Sequence, residues 1–220
     1  MLTKAILFDL DGTLLDRSSS LEAFLPNQYE RFHSILKTTN YKQFRERFLH
    51  LDQNGYVWKD QVYQQMEGEF KLPLNSWIPL ISDYVKGFAQ DCVAFPDTHR
   101  LLQSLTKQEY KLGLITNGVG DFQRQNIKHL QLDNFFDTVH ISEIEGMKKP
   151  DPRLFQRALQ NLGVTAEESI FVGDHEEKDI KGAQSIGMKT VRIDHSNTIL
   201  ESLADEVVYS CNQLQQLFVR

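Results

Sequence analysis

The sequence is short of three things, and each shortage removes a class of function. It has no surplus of basic residues: 24 Lys and Arg stand against 30 Asp and Glu, a formal net charge of −6. With a pI near 5.6 there is no cationic footprint for a phosphate backbone, so nucleic acid is not an expected partner. It has no apolar run approaching the roughly 18 residues of a membrane span, and its first residues enter an apolar strand pattern without a signal-like region. The expectation is a soluble, cytoplasmic protein with no membrane partner. It has little cysteine: Cys92 and Cys211 stand apart with no metal-binding spacing, which fits free thiols packed in a reducing compartment. Internal repeats and low-complexity segments are also missing. What remains, 220 residues of which 40% are hydrophobic, suffices for one large domain or two modest ones. Monomer and homodimer are equally open.

The informative stretch is Ala5-Ile6-Leu7-Phe8-Asp9-Leu10-Asp11-Gly12-Thr13. A short apolar run bounded by turn chemistry reads as a buried strand, and this one ends in two carboxylates one residue apart. Like charges at the mouth of a sheet repel each other and lose hydration, so a cation, a metal above all, is expected to hold them. Gly12 lets the backbone turn sharply and approach a ligand. An Asx turn is the plain alternative for an isolated Asp-x-Asp. A calcium loop is excluded, because its glycine is missing at Leu14 and its carboxylate at Ser20.

After this strand, Ser18-Ser19-Ser20 is expected to cap a helix, and the pattern stays helical for some seventy residues. Phe44, Phe48 and Leu51, then Val62, Met66 and Phe70, then Trp77, Leu80, Ile81, Tyr84 and Phe88 recur at helical spacing and read as core. Asp52-Gln53-Asn54-Gly55 is the clearest break, a turn. Residues 17–92 therefore read as a helical insertion, and 1–16 with 93–220 as an α/β part. In the latter, strands Lys111–Ile115, Thr138–Ser142, Ser169–Gly173, Thr190–Ile193 and Val207–Tyr209 alternate with helices from Thr98, Asp121 and Pro152 and through Ile180, Ala183 and Ile186. Alternation of this kind gives a doubly wound, mainly parallel α/β sheet whose strand C-termini share one edge. Ligands bind along that edge. Asp9, Thr116 and Asp174 each directly follow an apolar strand, which places three distant stretches in one crevice.

Four pieces in order, Asp9-x-Asp11-Gly12-Thr13, Thr116-Asn117, Lys149 within Lys149-Pro150-Asp151-Pro152, and Gly173-Asp174 followed by Asp179, resemble the motifs of the haloacid dehalogenase (HAD) superfamily, in its phosphatase form. The resemblance covers the α/β part, a Rossmann-like core, and implies a phosphatase acting on a small phosphorylated metabolite. Asp9 would be the nucleophile, forming an aspartyl-phosphate. A hard Mg2+ ion would be held by Asp9, Asp174 and the backbone carbonyl of Asp11. Lys149 would lie against phosphate and nucleophile, and Thr116, with the backbone beside Asn117, would hold the phosphoryl oxygens. Asp11 would serve as general acid and base, oriented by Thr13, and Asp179 would support Lys149 or a metal-bound water. His175 stands where the family often has a small polar residue and reads as a structural or entrance-lining histidine.

The helical insertion resembles the family's cap, which closes over the crevice, so substrate choice is expected within 17–92. Its weak candidates are Arg17, Arg45, Arg47 and Tyr56-Val57-Trp58-Lys59, each of them more readily a core or solvated residue. Asp11 argues against a dehalogenase or a phosphonatase. A β-phosphoglucomutase-like transferase is the nearest rival, and a non-catalytic protein of the same fold the remaining alternative.

Overall fold

Short aliphatic runs that each end in a polar or glycine residue build the sheet. In the computed structural model, which describes residues 2–198 and 201–218, the strands are β1 Ala5–Phe8, β2 Leu15–Asp16, β3 Val93–Ala94, β4 Lys111–Thr116, β5 Thr138–Ile141, β6 Ser169–Gly173, β7 Lys189–Ile193 and β8 Glu206–Val208. Six of them form one sheet in the order β5-β4-β1-β6-β7-β8, every neighbouring pair parallel. The chain runs outward from β1 through β4 to β5, then returns to the other side of β1 for β6, β7 and β8. β1 therefore lies at the switch point, where Phe8 is level with Leu114 on one side and Val172 on the other. All four residues of β1 are buried, as befits a parallel strand covered on both faces.

Helices cover the sheet where their apolar stripes demand it. The helix Pro152–Leu162 begins with the Asp151 carboxylate accepting from the backbone N–H of Arg153 at 3.0 Å, and ends at Gly163 with φ +62°. Its face of Leu154, Phe155, Ala158, Leu159 and Leu162 packs with Leu7, Ile115 and Phe171. Each large side chain buried there contributes about 1.5–3 kcal/mol.

The chain divides into two compact units, Met1–Arg17 with Val93–Arg220, and Ser18–Cys92. Within the first, β2 and β3 pair antiparallel, Leu15 opposite Ala94 and Asp16 opposite Val93. Two-residue strands leave no periodicity to read, and the sequence pattern does not reveal this ribbon. Two further expectations are corrected. Ser18–Ser20 do not cap a helix, because the helix Arg17–Arg31 starts directly after β2 and holds all three serines inside it. The segment after Asp174 opens with a π-helical turn, Glu176–Ile180, before the short helix Lys181–Gln184. The N–H groups of Asp179 and Ile180 both reach the His175 carbonyl, at 2.9 and 3.3 Å, which widens the turn.

The second unit is helical: Tyr41–Asp52, Lys59–Glu69 and Trp77–Gly87 follow the longer helix Arg17–Arg31. Its core is aromatic, with Tyr84 stacked on Phe88 at 5.0 Å and edge-on to Phe24 at 5.3 Å. The turn at Asp52–Gly55 is present, and Asp52 accepts from the Gly55 N–H. Lys59, 2% exposed, is ion-paired with Asp52, 1% exposed, and lies 5.4 Å over the Tyr84 ring. Arg45 is paired with Glu22 and Arg47 with Glu69, each through its Nε and Nη2. Each of these cations already has a carboxylate within its own unit. Removing one partner of a buried pair strands the other charge, so Lys59→Met should lower stability by about 3–5 kcal/mol. Chemical denaturation of Lys59→Met and of Lys59→Met/Asp52→Leu checks this. The double variant should recover most of the loss, and equal loss in both would mean that the pair is not what matters. No helix among the described residues is long and apolar enough to cross a membrane.

Candidate active site

The end of β1 carries the first acid into a confined place. The Asp9 N–H donates to the Val172 carbonyl at 2.9 Å, so the residue is still held by the sheet while its side chain sits beyond it, 6% exposed. Lys149, 3% exposed, brings its ammonium to 2.5 Å from Asp9 Oδ1 and 2.7 Å from Asp179 Oδ1. Asn117, just past β4, fixes that lysine's backbone. Its Oδ1 accepts from the Lys149 N–H at 2.8 Å and its Nδ2 donates to the Lys149 carbonyl at 3.0 Å. Asp174 follows β6, and Arg192 of β7 donates from Nε to its carbonyl at 3.1 Å while pairing with Glu176. Gly12 has φ +82°, and a Cβ there would stand 2.8 Å from Asp174 Cγ. Only glycine accepts both the backbone angle and the carboxylate's approach.

Asp9, Asp174 and Asp179 each offer a carboxylate oxygen, all within 4.8 Å of one another. The buried Lys149 ammonium lies among these acids. Burial pushes the Asp9 carboxyl well above its usual range; Lys149 pulls it down, and Asp179 and Asp174 push it back up. Burial and the Asp179 charge raise Asp174 to about 7. Burial alone would lower the Lys149 ammonium, but Asp179 and Asp9 outweigh it and hold it raised. The clustered carboxylate oxygens of Asp9, Asp174 and Asp179 are hard donors of the kind that suits a divalent cation such as magnesium.

Residues 6–193 match the family model described as haloacid dehalogenase-like hydrolase. The chain belongs to that family. It is 34% identical to glyceraldehyde 3-phosphate phosphatase of Pyrococcus furiosus over 194 residues, 86% of this chain and 79% of that protein. It is 30% identical to pyrophosphatase PpaX of Bacillus cereus over 202 residues, 88% and 84% of the two chains. Among solved structures, a HAD phosphatase from Thermococcus onnurineus is 29% identical with a TM-score of 0.71, covering 98% of this chain and 97% of the other.

The geometry of this HAD hydrolase gathers Asp9, Asp174, Asp179 and Lys149, and sets Asn117 behind the lysine. Thr116 is fully buried at the end of β4. Thr13 departs from its expected part. Its hydroxyl is buried without a hydrogen-bond partner and makes no bond to Asp11, in a loop that folds tightly back, with the N–H groups of Thr13, Leu14 and Leu15 all directed at the Leu10 carbonyl. Gln123 takes that place, donating from Nε2 to Asp11 Oδ2 at 2.6 Å. The sequence held a signal for it. Gln123 and Asn126 are polar residues among the buried positions of the helix Gly120–His129, beside Phe122 and Ile127. His175 caps the turn Glu176–Ile180, its Nδ1 accepting from the N–H groups of Glu177 and Lys178, and its own N–H donates to Asp179 Oδ2 at 3.0 Å.

Proposed function

We propose that this HAD hydrolase removes the phosphoryl group from a small phosphorylated metabolite, with Asp9 as nucleophile. The chain is a phosphoric monoester hydrolase on this reading, and the single observation that carries it is the buried ammonium of Lys149 between Asp9 and Asp179, with Asp174 beside them. Asp9, Asp174 and the Asp11 carbonyl would hold magnesium, which would supply positive charge between the two anions. Asp9 attacks phosphorus, forming an oxygen–phosphorus bond as the ester oxygen departs with a proton from Asp11. Lys149 neutralises the nucleophile and the incoming phosphoryl group, and Asp179 and Asn117 hold it there. Thr116 and the backbone at Asn117 seat the phosphoryl oxygens. Asp11 then takes a proton from the water that opens the aspartyl-phosphate, releasing inorganic phosphate and restoring Asp9. The unit Ser18–Cys92 serves as the cap that selects the substrate, and the cytoplasm is the setting, where Cys92 and Cys211 stay reduced thiols outside any disulfide.

The relatives named as glyceraldehyde 3-phosphate phosphatases put that ester first on a panel of phosphorylated metabolites assayed for phosphate release. Turnover with magnesium and none in excess chelator is the expected result. Full activity in chelator would remove the metal from the mechanism, and transfer to a second sugar hydroxyl in place of phosphate release would favour the mutase. The metal reading also has a pH signature. Asp9 and Asp174 hold protons more tightly folded than unfolded, Asp174 at about 7 against an ordinary 3.8. Between those values the metal-free folded state binds extra protons, so these groups make stability fall as pH rises. Magnesium competes for the same oxygens and should raise Tm more at pH 8 than at pH 5. Equal shifts at both would exclude these carboxylates as its ligands.

A further inference from the structure

The helix Gly120–His129, which follows the Thr116–Asn117 turn, turns two polar side chains inward: Gln123 is 2% exposed and Asn126 fully buried. A buried primary amide is informative only if its orientation is fixed, since its two ends have opposite hydrogen-bonding character. Here it is fixed. Asn126 Nδ2 donates to Gln123 Oε1 at 3.0 Å, and the Asp11 carboxylate and the Asn117 carbonyl accept, so they face the Gln123 amino group. That group lies 2.6 Å from Asp11 Oδ2, 3.0 Å from Thr116 Oγ1 and 3.4 Å from the Asn117 carbonyl. Gly118 leaves the room it needs, because a Cβ there would stand 2.8 Å from Gln123 Cγ.

We propose that Gln123 is a positioning residue for proton transfer, tying the Asp11 carboxyl to the phosphoryl seat. Its two N–H bonds point to two different machines. One holds Asp11 Oδ2, and the other holds the Thr116 hydroxyl. Among the described residues, Gln123 is the side chain that hydrogen-bonds the Asp11 carboxylate, the Thr13 hydroxyl making no such bond. With Oδ2 engaged, Oδ1 is the oxygen left to meet the ester oxygen. The distance between acid and phosphoryl group is then set by one rigid amide, where a free aspartate would rotate about χ1 and χ2. This rests on the proposed role of Asp11 as general acid, and its test separates the two.

An alkyl phosphate needs its leaving oxygen protonated, whereas p-nitrophenolate leaves unaided. For a reaction through a covalent intermediate, kcat/KM reports only the steps up to release of the first product. Gln123→Met should lower kcat/KM for glyceraldehyde 3-phosphate by about 30-fold and for p-nitrophenyl phosphate by less than about 3-fold. In an Asp11→Asn background the same change should alter the alkyl ester by less than about 3-fold, no more than p-nitrophenyl phosphate in the parent, since only contacts outside Asp11, such as that to Thr116, are left to act through. Equal losses on the two esters, or an undiminished loss in the Asp11→Asn background, would overturn the proposal. If Asp11→Asn itself fails to discriminate between the esters, the general acid has been misassigned, a different failure with its own signature. Gln123→Glu keeps the shape while replacing the donor, and should show the same selectivity even where Gln123→Met does not fold.

Discussion

Asp9→Asn should leave a folded protein whose phosphate release has fallen by at least about a thousandfold. The carboxamide fills the same volume at the end of β1, and nothing about the strand depends on the charge: the Asp9 N–H bond to Val172 is made by backbone. What is lost, on the proposed mechanism, is the electron pair that attacks phosphorus. The substitution also removes one of three mutually repelling acids, and burial has already pushed the Asp9 carboxyl far above its ordinary range. Lys149 keeps its pairing with Asp179. The metal-free variant should therefore melt no lower than the parent, and magnesium should raise its Tm less. Phosphate release and thermal melting, with and without magnesium, check both halves. Activity above a few per cent of the parent would rule out Asp9 as the nucleophile.

Lys149→Met should act on activity and stability together. The ammonium is the cation between Asp9 and Asp179, buried, and 5.5 Å over the Phe171 ring. Its loss leaves three acids facing each other in a desolvated crevice, a change of the kind that costs about 3–5 kcal/mol. The cost should grow with pH as those acids ionise. Magnesium should restore part of the stability, because it supplies charge to the same oxygens, yet leave turnover down by at least about a hundredfold, because it does not replace the donor on the phosphoryl group. Denaturation at pH 5 and pH 8 measures the first effect, and phosphate release the second. Turnover within tenfold of the parent, or a stability unchanged at pH 8 without magnesium, would remove Lys149 from the site.

These residues were legible in sequence for a simple reason. Ala5–Phe8, Lys111–Ile115 and Ser169–Gly173 are apolar runs that stop abruptly at Asp9, Thr116 and Asp174, and a parallel sheet turns three such stops into one rim. The pairing of Lys149 with Asp179 follows from the same topology once the motif is known. What escaped depends on contacts that no local pattern encodes. The ribbon Leu15–Asp16 with Val93–Ala94 is too short for alternation. The π-helical turn after Asp174 arises because Gly173 lets Asp179 fold back, a Cβ there meeting the Asp179 side chain at 2.5 Å. Gln123 and Asn126 share a helical face with Phe122 and Ile127, yet which group Gln123 serves appears only once the fold brings it to Asp11. Thr13 differs in the opposite sense, since its place in the motif suggests a bond to Asp11 that its buried hydroxyl does not make.

The ribbon has a consequence for how this chain can be cut. Asp16 and Val93 face each other in register, so the segment between them departs and returns at a single doorway, and the α/β fold on either side is already a closed circuit. Joining those two residues through a few glycines would excise the whole cassette without opening the sheet, and a foreign insert could be spliced in at the same doorway.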